Sequence, residues 1–219
     1  MNRSAFLQRS LRMSLVLACL IGNLPSTAAQ TPPDKGETIV LIRHGEKPAG
    51  GLGQLSCRGL YRSLKLPPKL IGLYGKPDYI YAPNPNVKMS DYHILQTYSY
   101  LRPLATIEPT AIRLGMPVNT EIGYNQIDKL QQELLQPSLD HKLIFVAWEH
   151  YYLHKFAKQM LETCGGNPAQ VPHWKDSDYD TIYILHVTQS CKNGAPPATF
   201  KTQKEGLDDK LKDTCPDLP

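Results

Sequence analysis

The sequence predicts an α/β fold, a three-layer sandwich in which a mostly parallel central sheet carries helices on both faces. Four apolar runs of strand length alternate with segments of helix length, which is the order expected of a parallel sheet. The runs lack regular polar alternation, as expected for strands that are buried on both faces. The chain of 219 residues has a length typical of one domain.

The predicted strands are residues 37–43 (ETIVLIR), 77–82 (PDYIYA), 142–148 (KLIFVAW) and 181–187 (TIYILHV), with a further short one possible at 117–121. The predicted helices are residues 56–66, 99–114, 124–135 and 151–163. Gly115 is expected to end the second helix, because glycine is favoured just beyond a helix end. Residues 190–219 show no periodic pattern and are expected to form an irregular covering tail.

The first 29 residues have the pattern of a secretory signal peptide. Three arginines precede a short apolar stretch at 13–24, and small residues lead to a cleavage point near Ala29. We therefore expect a single domain over residues 30–219 in a periplasmic or secreted protein. Two alternatives are a hydrophobic first helix of the fold and a lipoprotein signal that would anchor the chain through Cys19.

Charge argues against nucleic acid and membranes as partners. The whole chain has 24 Lys and Arg against 20 Asp and Glu, but the predicted signal contains three of the arginines and no acid. The mature chain would carry a net charge of about +1, whereas nucleic acids and anionic membranes require a concentrated basic face.

Four cysteines remain after the predicted signal, and an even number in an oxidising compartment predicts two disulfides. They are Cys57, Cys164, Cys191 and Cys215. Three pairings are possible, and we favour Cys191 with Cys215 because these residues bracket a tail of low apolar content. None of the four forms a C-x-x-C half-site, so cysteine ligation of a metal is not expected.

Two of the predicted strands end in residues suited to phosphate chemistry. The first ends in Arg43-His44 and the third in Glu149-His150. Ligands of such sheets bind beyond the carboxyl ends of the strands. An imidazole can attack phosphorus, an arginine can hold the phosphoryl oxygens and a carboxylic acid can protonate the leaving oxygen. The pattern therefore predicts a site for a phosphate ester.

Four segments together resemble the histidine phosphatase superfamily, which has the phosphoglycerate mutase-like fold. They are Ile42-Arg43-His44-Gly45-Glu46, Leu55-Ser56-Cys57-Arg58-Gly59, the run from Arg102-Pro103-Leu104-Ala105-Thr106 to Leu114-Gly115, and Val146-Ala147-Trp148-Glu149-His150. The resemblance covers residues 37–187. It implies that His44 is the nucleophile and that Arg43, Arg102 and His150 line the phosphate pocket.

The identity of the general acid is left open. Some branches of the family take it from the residue beside the second histidine, here Glu149, and others from a loop after the third strand, here Glu121. We prefer Glu149 because His150 places it at the pocket. Glu46 is expected to be a hydrogen-bonding neighbour of the nucleophile loop.

The sequence departs from the family pattern in two places. Residues 83–100 make a longer link before Arg102 than is usual, and we expect this insertion to cap the pocket. His150 is followed by two tyrosines rather than glycine, which would narrow the pocket or provide a stacking wall. Arg62 on the first helix is expected to be solvated, with contact to the phosphate as the alternative.

These observations predict a phosphatase that hydrolyses a small phosphate ester through phosphohistidine without a metal or other cofactor. The alternatives are a catalytically silent member of the family that binds phosphate, and a phosphomutase. A zinc site using His150 and His154 is a weaker alternative, because a metalloprotease helix would require glutamate directly after the first histidine.

Overall fold

The computed structural model describes residues 36–90, 96–188, 191–192 and 194–215. The strands are β1 (Gly36–Arg43), β2 (Tyr79–Tyr81), β3 (Lys88–Ser90), β4 (Thr97–Ser99), β5 (Leu143–Trp148), β6 (Thr181–Thr188) and β7 (Thr199–Lys204). The α-helices are α1 (Cys57–Tyr74), α2 (Arg102–Leu114), α3 (Ile127–Leu134) and α4 (His150–Thr163). The predicted signal peptide lies outside the described residues.

Strand β1 lies at the centre of a five-stranded sheet with the order β2-β5-β1-β6-β7. It pairs in parallel with β5, so that Arg43 is opposite Trp148, and β2 pairs in parallel with the other edge of β5. The His44 amide continues the ladder by donating to the carbonyl of Trp148 at 2.9 Å. The carboxyl ends of β1 and β5 are therefore level.

One strand of the sheet, β6, runs against this direction, and β7 has the direction of β1 again. β6 pairs antiparallel with β1, and β7 pairs antiparallel with β6 at the sheet edge. The expectation of an irregular tail after residue 190 is wrong at Thr199–Lys204. This strand, TFKTQK, is mostly exposed, so it lacks the apolar run that marked the buried strands.

Helices cover both faces of the sheet, which confirms the predicted α/β class. Ile39 and Leu41 of β1 pack in the layer of α3 and α4, while Val40 and Ile42 pack in the layer of α1 and α2. All four side chains are fully buried. Burial on both faces explains why the strand is a continuous apolar run.

Helix α1 is longer than predicted. It begins as expected after Ser56, whose hydroxyl accepts a hydrogen bond from the amide of Gly59 at 3.2 Å. It continues past Leu66 through two prolines to Tyr74. Proline usually disrupts a helix interior. Pro67 and Leu70 of this helix are buried, and their tertiary packing outweighs the local preference.

The insertion at 83–100 contains the two-stranded hairpin of β3 and β4, in which Met89 is opposite Tyr98. Helix α2 consequently begins at Arg102 rather than near residue 99. Its end is as predicted: Gly115 is left-handed, with a φ of 62°, and its amide bonds back to Ala111 and Ile112. The fifth strand considered at 117–121 is reduced to a single bridge between Asn119 and Tyr81.

The disulfides join Cys57 to Cys215 and Cys164 to Cys191. The favoured pairing of Cys191 with Cys215 is therefore wrong. Cys191 follows β6 and lies beside the end of α4, while Cys215 lies at the start of α1. Within the described ranges, no helix combines the length and the apolar character needed to cross a bilayer.

We predict that the paired variant Cys57→Ser/Cys215→Ser loses more stability than Cys164→Ser/Cys191→Ser. The first disulfide closes a sequence separation of 158 residues and the second one of 27. In the chain-entropy model the longer loop gives the larger gain, within a range of about 2–5 kcal/mol for removal of one native disulfide. Urea unfolding measures the difference, and disulfide mapping of the parent tests the pairing. Equal losses of unfolding free energy would contradict the loop-length argument.

Candidate functional site

His44 lies one residue beyond β1, with only 2% of its surface exposed. Its Nδ1 is 2.7 Å from the carbonyl oxygen of Gly45. Because a carbonyl only accepts hydrogen bonds, Nδ1 carries the proton, and Nε2 of the neutral ring keeps its lone pair. Burial, followed by the positive charges of Arg102 and Arg43, holds the pKa of His44 well below its ordinary value. The imidazole is therefore neutral and has the form of a nucleophile at neutral pH.

The backbone beside His44 is held by two other elements. The Gly45 amide donates to the hydroxyl of Thr106 at 2.8 Å, and that hydroxyl donates to the carbonyl of Arg102 at 2.8 Å. Gly45 also packs against α1, where an added Cβ would be 3.0 Å from the carbonyl oxygen of Gly59. A side chain at position 45 would therefore push the nucleophile loop away from the helix.

The Arg43 side chain is buried and held by backbone carbonyls. Its Nη1 donates to the carbonyl of Asp176 at 2.7 Å and to that of Asp178 at 3.0 Å. Its guanidinium carbon lies 3.8 Å from the ring centroid of Tyr179. Its Nε is buried without a hydrogen-bond partner among the described residues. Carbonyls orient the cation without neutralising it, so the group remains suited to an anion.

Arg102, at the start of α2, is oriented in a similar way. Its Nη1 donates to the carbonyl of Gly51 at 2.9 Å, and its amide donates to the carbonyl of Gly53 at 3.0 Å. Gly53 has a φ of 71°, and the backbone of Ser99 in the hairpin leaves no room for a Cβ there. The glycine loop at 50–53 thus connects the insertion to the second pocket arginine.

Glu149 and His150 stand together where β5 ends and α4 begins. Glu149 caps the helix by accepting a hydrogen bond from the amide of Tyr152 to its Oε2 at 3.0 Å. Its Oε1 lies 2.6 Å from Nδ1 of His150, although the two are not aligned as a hydrogen bond. Nε2 of His150 is 2.8 Å from Oδ1 of Asp176. Oε2 of Glu149 is therefore bound to the helix, while Oε1 contacts the histidine without a hydrogen bond.

These groups are near one another in space. The charges of Arg43, Arg102 and His150 all act on the pKa of His44, and Glu149 acts on that of Arg43. Hydrogen bonding from His150 holds the pKa of Asp176 below its ordinary value, and the same aspartate bonds Arg43 through its carbonyl. Five of the six residues proposed for the site on sequence grounds thus converge.

Glu121, the sixth, lies elsewhere. It is exposed and lines a separate cavity of about 140 Å³ together with Tyr81 and Glu133. Among the described residues, no hydrogen bond, ion pair or ring contact links Glu121 to His44. Glu149 therefore lies with the other predicted site residues, and Glu121 does not.

Glu46 is bound by arginines of α1, as expected of a neighbour of the nucleophile loop. Arg62 donates to its two oxygens at 2.8 and 3.0 Å, and Arg58 donates to one of them at 3.2 Å. The expectation that Arg62 is solvated is wrong, because its side chain is fully buried and also bonds Glu205 and Asp208. These carboxylates come from the C-terminal segment, which sequence spacing could not connect to α1.

Sequence reasoning missed Asp176, Tyr179 and Thr106. The first two lie in the loop before β6, and no motif in this loop indicates a function. Thr106 lies in the α2 segment that resembles the family, but the sequence does not indicate its hydrogen bond with Gly45. No group of three or more His, Cys, Asp or Glu side chains gathers in a metal-binding arrangement within the described part of the chain.

Comparison with known proteins identifies the fold. No protein-family model and no curated protein matches the sequence significantly. The solved structure of the protein histidine phosphatase SixA with tungstate is 14% identical, with a TM-score of 0.53 over 77% of this chain and 97% of SixA. A candidate SixA from Nakamurella multipartitia is 16% identical, with a TM-score of 0.51 over 78% of this chain and 98% of its own.

A third solved structure supports the same assignment. A candidate alpha-ribazole-5'-P phosphatase from Escherichia coli is 13% identical, with a TM-score of 0.53 over 77% of this chain and 96% of its own. At these identities the likeness concerns the fold. The chain therefore has the fold of the histidine phosphatase superfamily, as its resemblance in sequence predicted.

Proposed function

We propose that this protein is a phosphomonoester hydrolase that acts through a phosphohistidine at His44. The observation that carries the proposal is the state of this imidazole, which is buried and neutral, has its Nδ1 proton bound to the Gly45 carbonyl, and is subject to the charges of Arg102 and Arg43. The solved SixA with tungstate, a tetrahedral oxyanion, supports a phosphate-like ligand for this fold.

In the first step Nε2 of His44 forms a bond to phosphorus as the bond from phosphorus to the leaving oxygen breaks. Arg43, Arg102 and His150 hold the phosphoryl oxygens and stabilise the charge of the transition state. The Gly45 carbonyl, bound to Nδ1–H, stabilises the positive charge that develops on the ring. Glu149 gives its proton to the leaving oxygen, so that an alcohol departs.

In the second step water attacks phosphorus and Glu149 accepts its proton. The bond between nitrogen and phosphorus breaks, and its electron pair returns to Nε2 of His44. Inorganic phosphate then leaves. Oε2 of Glu149 remains bound to the amide of Tyr152, which leaves Oε1, in contact with His150 but not hydrogen-bonded to it, to give and accept the proton.

We also propose that the domain covers residues 30–219 and works outside the cytoplasm after signal cleavage. Two disulfides support this location, because reducing compartments seldom keep structural disulfides.

We predict that His44→Ala lowers kcat/KM for p-nitrophenyl phosphate by at least about 1,000-fold, because no other group replaces the nucleophile. EDTA should leave the parent activity unchanged. Quenched reactions of the parent should contain acid-labile, base-stable phosphoprotein that the variant lacks.

Retained tungstate binding by His44→Ala would show that its pocket is intact. Parent-like turnover by the variant would contradict the proposal, and a parent that binds tungstate without turnover would indicate a silent phosphate-binding protein.

The general acid can be identified from leaving groups. We predict that Glu149→Gln lowers kcat/KM, which reports formation of the phosphohistidine, about 100- to 10,000-fold with an alkyl phosphate and less with p-nitrophenyl phosphate, whose leaving oxygen needs little protonation. Glu121→Gln is the matched control and should remain within about twofold of the parent on both. An equal loss on both substrates with Glu149→Gln, or a selective loss with Glu121→Gln, would contradict the assignment.

The pKa of His44 provides a third test. Because the Arg102 cation disfavours the imidazolium, Arg102→Met should raise this pKa towards its ordinary value. Arg113→Met, an exposed arginine on the same helix, should leave it unchanged. Histidine NMR titration of the ligand-free protein gives both values. A pKa in Arg102→Met equal to or below that of the parent would contradict the electrostatic argument.

A further inference from the structure

We propose that the substrate is a small phosphomonoester whose leaving group carries an aromatic ring, an inference that rests on the proposed phosphatase function. The observation behind it is a series of tyrosine rings that begins at the His44 imidazole and ends at the protein surface. We call it the tyrosine series, and its members are Tyr100, Tyr124, Tyr152 and Tyr151.

Each ring of the tyrosine series meets the next edge to face. The Tyr100 ring lies 6.0 Å from the His44 ring at an interplanar angle of 87°. The centroid distances that follow are 5.3 Å from Tyr100 to Tyr124, 5.5 Å from Tyr124 to Tyr152 and 5.3 Å from Tyr152 to Tyr151. All fall within the range in which aromatic pairs attract beyond simple burial.

Exposure increases along the tyrosine series. Tyr100 is fully buried, Tyr124 and Tyr152 are half-buried, and Tyr151 is 62% exposed. The aromatic surface available to a ligand is therefore formed by the exposed parts of Tyr124, Tyr152 and Tyr151. Ring contacts connect this surface with Tyr100, which lies beside the reacting imidazole.

The tyrosine series is built on the elements that carry the site. Tyr100 precedes Arg102 by two residues, and Tyr151 and Tyr152 follow His150 directly. A second aromatic contact borders the nucleophile elsewhere: Tyr179 lies 6.1 Å from the His44 ring and stacks on Arg43. A phosphate held by Arg43 and Arg102 would thus have aromatic rings beside its leaving group.

Aromatic rings in such a setting distinguish a planar π-system from a saturated group of the same size. Stacked and edge-to-face contacts are available to an aryl or arylmethyl group, whereas a saturated ring obtains only dispersion and burial. The difference for one aromatic pair corresponds to about a 3- to 10-fold change in affinity.

Benzyl phosphate and cyclohexylmethyl phosphate form the test pair, since both release a primary alcohol and differ chiefly in aromaticity. We predict that kcat/KM favours benzyl phosphate by about 3- to 10-fold. The corresponding phosphonates, which cannot be hydrolysed, should show the same preference in Kd by calorimetry. This second measurement does not depend on turnover.

Variants locate the preference. Tyr152→Leu and Tyr151→Leu should each reduce the ratio of kcat/KM for benzyl phosphate to kcat/KM for cyclohexylmethyl phosphate towards one. Tyr61→Leu, a partly buried tyrosine on α1 outside the series, should keep the full preference.

The outcomes separate this inference from the proposed function. Equal values for the two phosphates, equal Kd values for the two phosphonates, or binding of neither phosphonate would overturn the aromatic preference. If both phosphates are hydrolysed without preference and His44→Ala hydrolyses neither, the proposed phosphatase function would still be supported. Conversely, a benzyl preference in phosphonate binding without turnover of either ester would support the inference and count against the phosphatase.

Discussion

The parallel pairing of β1 with β5 is the constraint on which the rest of the molecule depends. Arg43 stands opposite Trp148, and the His44 amide bonds to the Trp148 carbonyl, so both strands end at one level. Two short segments more than 100 residues apart are thereby brought to the same edge of the sheet. A shift of the register by one residue would turn every side chain of β1 to the opposite face and separate the two histidines.

Arg62 and Arg43 are both buried, but their partners among the described residues differ in charge. Arg62 pairs with carboxylates of Glu46, Glu205 and Asp208, which makes it a structural cation. Arg43 donates to backbone carbonyls, which orient a guanidinium but leave its charge. Burial of the nearby His44 imidazole, together with this charge and that of Arg102, lowers its pKa and keeps it neutral. A bound phosphate would compensate the charge of Arg43, which backbone carbonyls orient without neutralising.

The C-terminal segment belongs to the support of the nucleophile loop. The disulfide between Cys57 and Cys215 fixes its end beside α1, and Asp208 reaches Arg62 from the same segment. Arg62 in turn holds Glu46, two residues beyond His44, and lowers the pKa of that carboxyl although burial opposes it. Contacts thus lead from the end of the chain to the loop that carries the imidazole.

Sequence alone was sufficient for the α/β class, the four buried strands and the residues at their ends, because burial on both faces leaves continuous apolar runs and sharp boundaries. It could not reveal β7, whose exposed edge lacks that pattern, or the disulfide partners, which are distant along the chain. The sequence also did not indicate the contacts of Asp176 and Tyr179 with Arg43, since their loop has no motif. Only tertiary structure brought them to Arg43, and only it separated Glu121 from Glu149, because proximity in a packed chain depends on the path of the backbone rather than on residue type.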